Sequence, residues 1–323
     1  MYNIAIDLGG TIVKIGLLHK GKVLNMVLLD SRRLLGLEAN LNRIREEIDR
    51  LLSLQEIDAA RLGGIGLAFP GLVDSVENRV ISTNKKYDDA CRIDLNQWVK
   101  QNWNVQFFMD NDARMAVVGE WRHGAAKGFD NVVMMTVGTG IGTGVIINGQ
   151  ILYGKHFQAG SLGGHIVLDY RGRKCSCGNV GCVESVASSF FLPSIIREHA
   201  RLSASFKRKA EKENYDFKEI FHLAAAGNAD ALLLRNECMD VWAAAVVSYI
   251  HAYDPEIVVL GGGIMKSGDI IIPHIQQKID RYAWCPSEKV ILTAANLGDR
   301  AALAGIDYQL RKRERKKHGT KNI

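Results

Sequence analysis

Short apolar runs alternate with amphipathic stretches along the 323-residue chain, and this alternation is typical of an α/β protein. Apolar runs bounded by turn residues predict strands at residues 2–8, 12–18, 23–29, 63–68, 105–109, 131–137, 145–148, 257–260 and 289–294. Apolar residues at helical spacing predict helices at residues 38–54, 113–119, 221–227, 229–239, 241–253 and 295–309, with further helical character over 188–221.

Two glycine-rich segments each connect one predicted strand to the next. Asp7 precedes Gly9-Gly10-Thr11 in the first, and the second runs from Gly138 to Gly144 with glycine at alternate positions. Such turns let backbone N–H groups approach phosphate oxygens. A Rossmann fingerprint differs, because its glycines open a helix. The repeated unit predicts two related domains that face each other.

A polar cluster, Asp110-Asn111-Asp112, follows the strand at 105–109 and precedes a helix. Polar groups at strand ends and helix N-termini converge on clefts in α/β proteins, which favours a catalytic carboxylate here. Asp112 acting only as the N-cap of the next helix is the alternative.

One histidine and three cysteines lie close together between residues 165 and 182. They are His165, Cys175, Cys177 and Cys182, among several glycines. Three thiolates and one imidazole form a closed tetrahedral set, which is the usual composition of a structural Zn²⁺ site. The Cys175–Cys177 spacing is too short for a comfortable disulfide. Three unrelated buried thiols are the alternative.

The same segment resembles the zinc signature of the ROK family of sugar kinases and sugar-responsive repressors. The shared pattern is C-x-C-G-x-x-G-C-x-E from Cys175 to Glu184, preceded by Gly164-His165. The motif D-x-G-G-T at Asp7 resembles the first phosphate motif of the sugar kinase and actin superfamily. The resemblance implies an α/β fold of two RNase H-like domains, of the actin-like ATPase and hexokinase superfamily, flanking a cleft that binds ATP.

The resemblance also implies roles for individual residues. Asp112 is the expected catalytic base, and the sugar is expected to contact Gly71, Asn84, Asn111, Asp112, His165 and Glu184. ATP and Mg²⁺ are expected at Asp7, Gly9, Gly10, Thr11, Gly138, Thr139, Gly140, Gly261, Gly262 and Gly263. His165 would bind zinc through one ring nitrogen and face the sugar with the other.

This chain departs from the family pattern just before the histidine. The family has G-E-x-G-H there, whereas this chain reads Gly160-Ser161-Leu162-Gly163-Gly164-His165, with no acidic residue and one additional glycine. Because that glutamate contacts the sugar, glucose, N-acetylated hexosamines, mannose, allose and fructose all stay open as substrates.

Composition is that of an ordinary globular protein, with 47% hydrophobic and 24% charged residues. Residues 311–323 carry the whole formal net charge of +6. This basic tail could contact an acidic surface, but a solvated helix end is the simpler interpretation, so nucleic acid is not expected as a partner. No apolar segment is long enough to span a membrane or to act as a signal peptide, so a cytoplasmic location is expected.

The expected domains are residues 1–112 with 299–315, and residues 113–298 with the zinc loop, followed by a flexible tail at 316–323. The resemblance implies a glucokinase-like enzyme and a homodimer. A sugar-responsive regulator or a non-catalytic sensor is the alternative. The regulators carry a DNA-binding domain before the first phosphate motif, and Asp7 lies too near the start of this sequence for one.

Overall fold

Two five-stranded sheets form the framework of the computed structural model, which describes residues 1–32, 35–83 and 86–319. The first sheet has the order β3-β2-β1-β4-β7. Its strands are β1 (Tyr2–Leu8), β2 (Ile12–His19), β3 (Lys22–Asp30), β4 (Leu62–Phe69) and β7 (Gln106–Asn111). A separate two-stranded sheet pairs β5 (Leu72–Asp74) with β6 (Arg79–Ser82).

The second sheet has the order β10-β9-β8-β11-β12. Its strands are β8 (Val132–Val137), β9 (Ile141–Ile147), β10 (Gln150–Ile151), β11 (Ile257–Gly261) and β12 (Ile291–Ala294). Each sheet begins with three antiparallel strands and continues with two strands parallel to its first strand. The two sheets therefore share one topology, and the predicted duplication is confirmed.

Ten α-helices connect or cover these strands in the described part of the chain. They are α1 (Glu38–Leu54), α2 (Leu95–Trp103), α3 (Asp112–His123), α4 (Val183–Ala187), α5 (Leu192–Glu198), α6 (Ala204–Glu213), α7 (Phe217–Ala225), α8 (Ala229–Tyr253), α9 (Gly268–Tyr282) and α10 (Ala301–Gly319). None of them combines the length and the apolar character needed to cross a bilayer.

Helices α3 and α10 lie in backbone contact between the two sheets. A methyl group added at Gly119 would lie 2.0 Å from the carbonyl oxygen of Ala301, and one at Gly305 would lie 2.0 Å from that of Met115. Their apolar side chains pack with residues of both sheets in one core cluster, including Phe108 of the first. Separate clusters fill the outer face of each sheet.

Several predicted boundaries are wrong, and the largest differences concern α8 and α10. Residues 229–253 form one helix rather than the two predicted on either side of Asp240. Asp240 lies within this helix, and its carboxylate pairs with His274 and Lys278 on α9. The terminal helix begins at Ala301 rather than 295 and continues through Gly319, so residues 316–319 of the predicted flexible tail are helical. The buried carboxylate of Glu120 accepts hydrogen bonds from the N–H groups of residues 296 and 297 and holds that segment outside the helix.

The second glycine-rich turn is also shorter than predicted. Only Gly138-Thr139-Gly140 form the turn, since β9 already begins at Ile141. Gly142 and Gly144 lie within β9, where added methyl groups would approach Ala113 and Val117 of α3. Their small size therefore serves the packing of α3 against the sheet.

Candidate active site

The carboxyl ends of three parallel strands in the first sheet meet at one edge. Asp7 of β1 pairs with Ala68 of β4, and Phe69 pairs with Asn111 of β7. The chain leaves β4 through Pro70-Gly71. At the end of β7 it passes directly into α3, which begins at Asp112. This edge is where ligands bind in open α/β sheets.

A cleft of about 740 Å³ lies between this edge and the second sheet. The residues predicted to contact the sugar that line it are Gly71, Asn111, Asp112, His165 and Glu184. The residues predicted to contact the nucleotide that line it are Gly10, Gly138, Thr139, Gly140 and Gly262. The structure thus brings together predicted residues from seven separate places in the chain.

Five residues predicted to bind the nucleotide or Mg²⁺ do not line the cleft. Gly9, Thr11, Gly261 and Gly263 each adjoin a lining glycine in the chain, and Asp7 lies three residues before the lining residue Gly10. Asn84 lies outside the described residues, so its predicted sugar contact stays a prediction.

Asp112 stands at the first position of α3 with its carboxylate held from two directions. Its Oδ1 accepts hydrogen bonds from the N–H of Ala113 at 2.8 Å and from Nδ2 of Asn111 at 3.0 Å. Burial raises the pKa of Asp112, and the nearby positive charge of Lys86 opposes that rise. A carboxylate made more basic by burial is a better proton acceptor than an exposed one.

The N-cap of α3 is Asn111, so the alternative role of Asp112 as the cap is wrong. The Asn111 Oδ1 accepts from the N–H of Arg114 at 3.0 Å, as an N-cap side chain does. Its Nδ2 donates to the Gly71 carbonyl oxygen at 3.0 Å as well as to Asp112. Asn111 therefore fixes the position of both neighbours in the cleft wall.

Asp7 is buried beside a lysine that sequence reasoning missed. Lys14 Nζ lies 3.3 Å from Asp7 Oδ2 and 2.7 Å from Asp299 Oδ1. Burial raises the pKa of Asp7 to about 6; Lys14 opposes this rise and the charge of Asp112 adds to it. Asp7 and Asp112 are therefore close enough to repel each other when ionised, an arrangement that a divalent cation would stabilise.

Glu184 lies just after the predicted metal ligand Cys182 and contacts the second glycine turn. Its Oε2 accepts a hydrogen bond from the N–H of Ile141 at 2.9 Å, at the end of the turn. The turn is also held through its carbonyl oxygens, which accept from the N–H groups of Ser189 at 3.1 Å and Phe190 at 2.9 Å. Glu184 therefore connects the segment that carries the predicted metal ligands to the second glycine turn.

Gly262 allows the turn after β11 to approach the end of β8 closely. Its φ is +92°, and an added Cβ would lie 2.2 Å from the carbonyl oxygen of Val137. Both the backbone conformation and the space therefore require glycine at this position. The turn after β11 can consequently lie directly beside the turn after β8.

The predicted metal ligands converge, and their spacing fits zinc. The ligand atoms of His165, Cys175, Cys177 and Cys182 all lie within 4.8 Å of one another. Nδ1 of His165 is 3.7 Å from Sγ of Cys175, and the Sγ atoms of Cys177 and Cys182 are 3.7 Å apart. Two ligands bound at about 2.3 Å to a tetrahedral ion would be separated by about 3.8 Å, whereas a disulfide measures about 2.05 Å.

Removing one thiolate should release the metal and weaken sugar binding. We expect the purified wild type to hold about one equivalent of zinc by elemental analysis, and Cys175→Ser to lose most of it. Because His165 also lines the cleft, the KM for the sugar should rise in this variant. Cys238→Ser, which removes a buried thiol outside the cluster, is the control. Full zinc content and unchanged kinetics in Cys175→Ser would exclude the site.

Sequence reasoning also missed Lys86, which lines the cleft and whose positive charge lowers the pKa of Asp112. Lys86 belongs to no sequence motif, and Asp112 is 26 residues away from it in the chain. Lys14 could have been found, since a tight turn at residues 9–11 pairs Leu8 with Val13 and therefore Asp7 with Lys14.

Known proteins share this architecture. The family profile described as ROK family matches residues 3–313. A glucokinase of Thermotoga maritima is 35% identical over 86% of this chain and 87% of its own length. A xylose repressor of Bacillus subtilis is 31% identical over 75% of this chain and 59% of its own length.

A solved structure has the same overall fold as this chain. A ROK family glucokinase from Streptomyces griseus, in complex with glucose and AMPPNP, has a TM-score of 0.78 and 25% identity, covering 97% of this chain and 100% of that one. The duplicated sheets and the cleft between them define a protein of the actin-like ATPase fold, as predicted. The chain belongs to the ROK family.

Proposed function

We propose that this protein is a sugar kinase that transfers the γ-phosphoryl group of ATP to a hydroxyl of a hexose or hexosamine. The observation that carries the proposal is one cleft that is lined by the half-buried Asp112 and by glycines from the turns of both sheets. The glucokinase relatives and the AMPPNP complex of the Streptomyces griseus enzyme support it.

The phosphates would lie between the two glycine turns. Backbone N–H groups near Gly10 and at Gly138–Gly140 would cradle the phosphate oxygens, and Gly262 would leave room for the nucleotide. Asp7 would help to hold Mg²⁺, whose charge supports phosphoryl transfer by neutralising the phosphates. Positioning and charge neutralisation are the main contributions that such a reaction needs from a protein.

The sugar would lie against Asp112, His165 and Glu184. Asp112 would accept the proton from the attacking hydroxyl as the oxygen bonds to the γ-phosphorus and ADP leaves. Because the transition state is loose, the proton can move late, so a carboxylate suffices as the base. The zinc cluster would fix the His165 ring from behind and so orient the sugar without joining the reaction.

Domain closure would complete the site. The proposed division at residues 112–113 and 298–299 would put one sheet on each side of the cleft, with α3 and α10 between them. A homodimer, as implied by the family resemblance, is part of this proposal. Closure would exclude water, which otherwise competes with the sugar as phosphoryl acceptor.

The test is a coupled assay of ADP release with Mg-ATP across a panel of hexoses and hexosamines. We expect sugar-dependent ADP release with at least one of them and only slow release without sugar. Phosphorylated sugar should be detected by mass spectrometry. Sugar binding without any ADP release would favour a non-catalytic sensor instead.

A further inference from the structure

A buried guanidinium lies just behind the wall of the cleft. Arg114, two residues after Asp112 on α3, is fully buried, and its Nη1 lies 3.3 Å from Oδ1 of the equally buried Asp110. Asp110 Oδ2 in turn accepts from the hydroxyl of Tyr153 at 2.8 Å. Neither Asp110 nor Arg114 lines the cleft, so the pair has no contact with substrate in this arrangement.

The other end of the guanidinium holds the segment that leads into the cleft. Arg114 Nη2 donates to the carbonyl oxygen of Phe157 at 2.7 Å, to that of Ala159 at 3.1 Å and to Ser161 Oγ at 3.2 Å. One planar group thus ties the base-bearing helix to the segment 157–161. Lysine could not reach Asp110 and the segment 157–161 at the same time, because an ammonium group lacks the two separate nitrogens of the guanidinium fork.

The hydroxyl of Ser161 has one lone pair left to accept a further hydrogen bond. A serine hydroxyl has one donor hydrogen and two acceptor lone pairs. The hydrogen is directed to the Gln158 carbonyl oxygen at 3.2 Å, and Arg114 occupies one lone pair. Ser161 lines the cleft with Asp112 and His165, so only an acceptor remains for a bound sugar.

We propose that Arg114 is a positioning residue that presents Ser161 Oγ to the sugar as a neutral hydrogen-bond acceptor, and that Ser161 thereby helps to determine sugar specificity. The inference rests on the proposed function. It implies that the preferred sugar places a hydroxyl or amide N–H donor at Ser161, and that an analogue lacking this donor binds less well.

The experiment compares Ser161→Ala and Arg114→Lys with the wild type. Loss of one neutral hydrogen bond corresponds to about a 2- to 12-fold change in affinity. We expect each variant to raise the KM for the preferred sugar by roughly this factor, with the KM for ATP within about 2-fold. Because both act through the same contact, the double variant should be no worse than the more affected single variant.

Deoxy analogues identify the contact itself. For one monodeoxy sugar, the wild type should lose affinity, whereas Ser161→Ala should bind that analogue and the parent sugar equally well. Arg122→Lys is the matched control, since Arg122 lies on the same helix but stacks on the Trp121 ring, with Cζ 3.2 Å from its centroid, outside the cleft. It should leave the KM for the sugar unchanged.

Sugar affinity is also measured without turnover, from the rise in Tm that each sugar produces. An unchanged sugar affinity in folded Ser161→Ala would overturn the inference and leave the kinase proposal intact. Equal losses for sugar and ATP in Arg114→Lys would show a merely structural role and would also overturn it. If no sugar bound or was phosphorylated by the wild type, both proposals would fail.

Discussion

Replacing Asp112 with asparagine is expected to lower kcat by a factor on the order of 10²–10⁴, because an amide keeps the shape but cannot accept the proton. Both contacts that Asp112 makes through Oδ1, with Ala113 and Asn111, can be made by an amide oxygen. The KM for the sugar should therefore change much less than kcat. The measurement is the ADP-release assay with the best sugar, with Tm measured alongside.

The N-cap of α3 is unchanged in this variant, because Asn111 and not Asp112 caps the helix. Asp112→Asn should therefore retain the wild-type Tm or exceed it, because burial disfavours the charged carboxylate. A folded Asp112→Asn protein with a nearly normal rate would remove Asp112 from the mechanism.

Asp7→Asn should have two opposite effects. Turnover should fall by a factor on the order of 10² or more, because the amide is a poor ligand for Mg²⁺ beside the phosphates. Stability should rise, because the wild-type carboxylate is ionised at neutral pH although burial raises its pKa to about 6. Keeping the buried group charged costs up to about 3 kcal/mol. The Tm of the variant should therefore exceed that of the wild type by a few degrees.

The pH dependence of stability shows whether Asp7→Asn stabilises the fold by removing a buried charge or by a change in side-chain packing. The folded-state pKa of Asp7 is raised above its ordinary value of 3.8, so the unfavourable contribution is fully present above pH 6. It disappears as pH falls through 6 towards 4. The stability difference between Asp7→Asn and the wild type, measured by urea denaturation, should shrink over that range. Asp299→Asn, which removes the other partner of Lys14, is the control. A constant difference would contradict the explanation.

Local pattern was sufficient for most strands and for the metal ligands. The helix predicted at residues 38–54 coincides with α1 because its apolar face repeats without interruption. The convergence of His165 and the three cysteines could be predicted because these four residues lie close together in the sequence. The second glycine turn was predicted too long, because glycine needed for packing against α3 looks the same in sequence as glycine needed in a turn.

Contacts between segments that are far apart in the chain could not be predicted from the sequence. Arg114 reads as one more polar residue on a helix, and only the fold brings the carbonyl groups of residues 157 and 159 to its guanidinium. Lys86 likewise gains significance only through its proximity to Asp112. The start of α10 was predicted six residues too early, because the buried Glu120 that holds residues 296 and 297 outside the helix lies on α3.

The position of α10 has a consequence for synthesis on the ribosome. Asn3 of β1 donates a hydrogen bond to Asp307 of α10, a residue 304 positions later in the chain. At about 5–20 residues per second, β1 exists for roughly 15–60 s before that partner is made. The core on the outer face of the second sheet uses only residues 133–292 and can close earlier. Until α10 is made, the inner face of the first sheet, including Ala5 and Phe108, remains exposed on the nascent chain and available to chaperones.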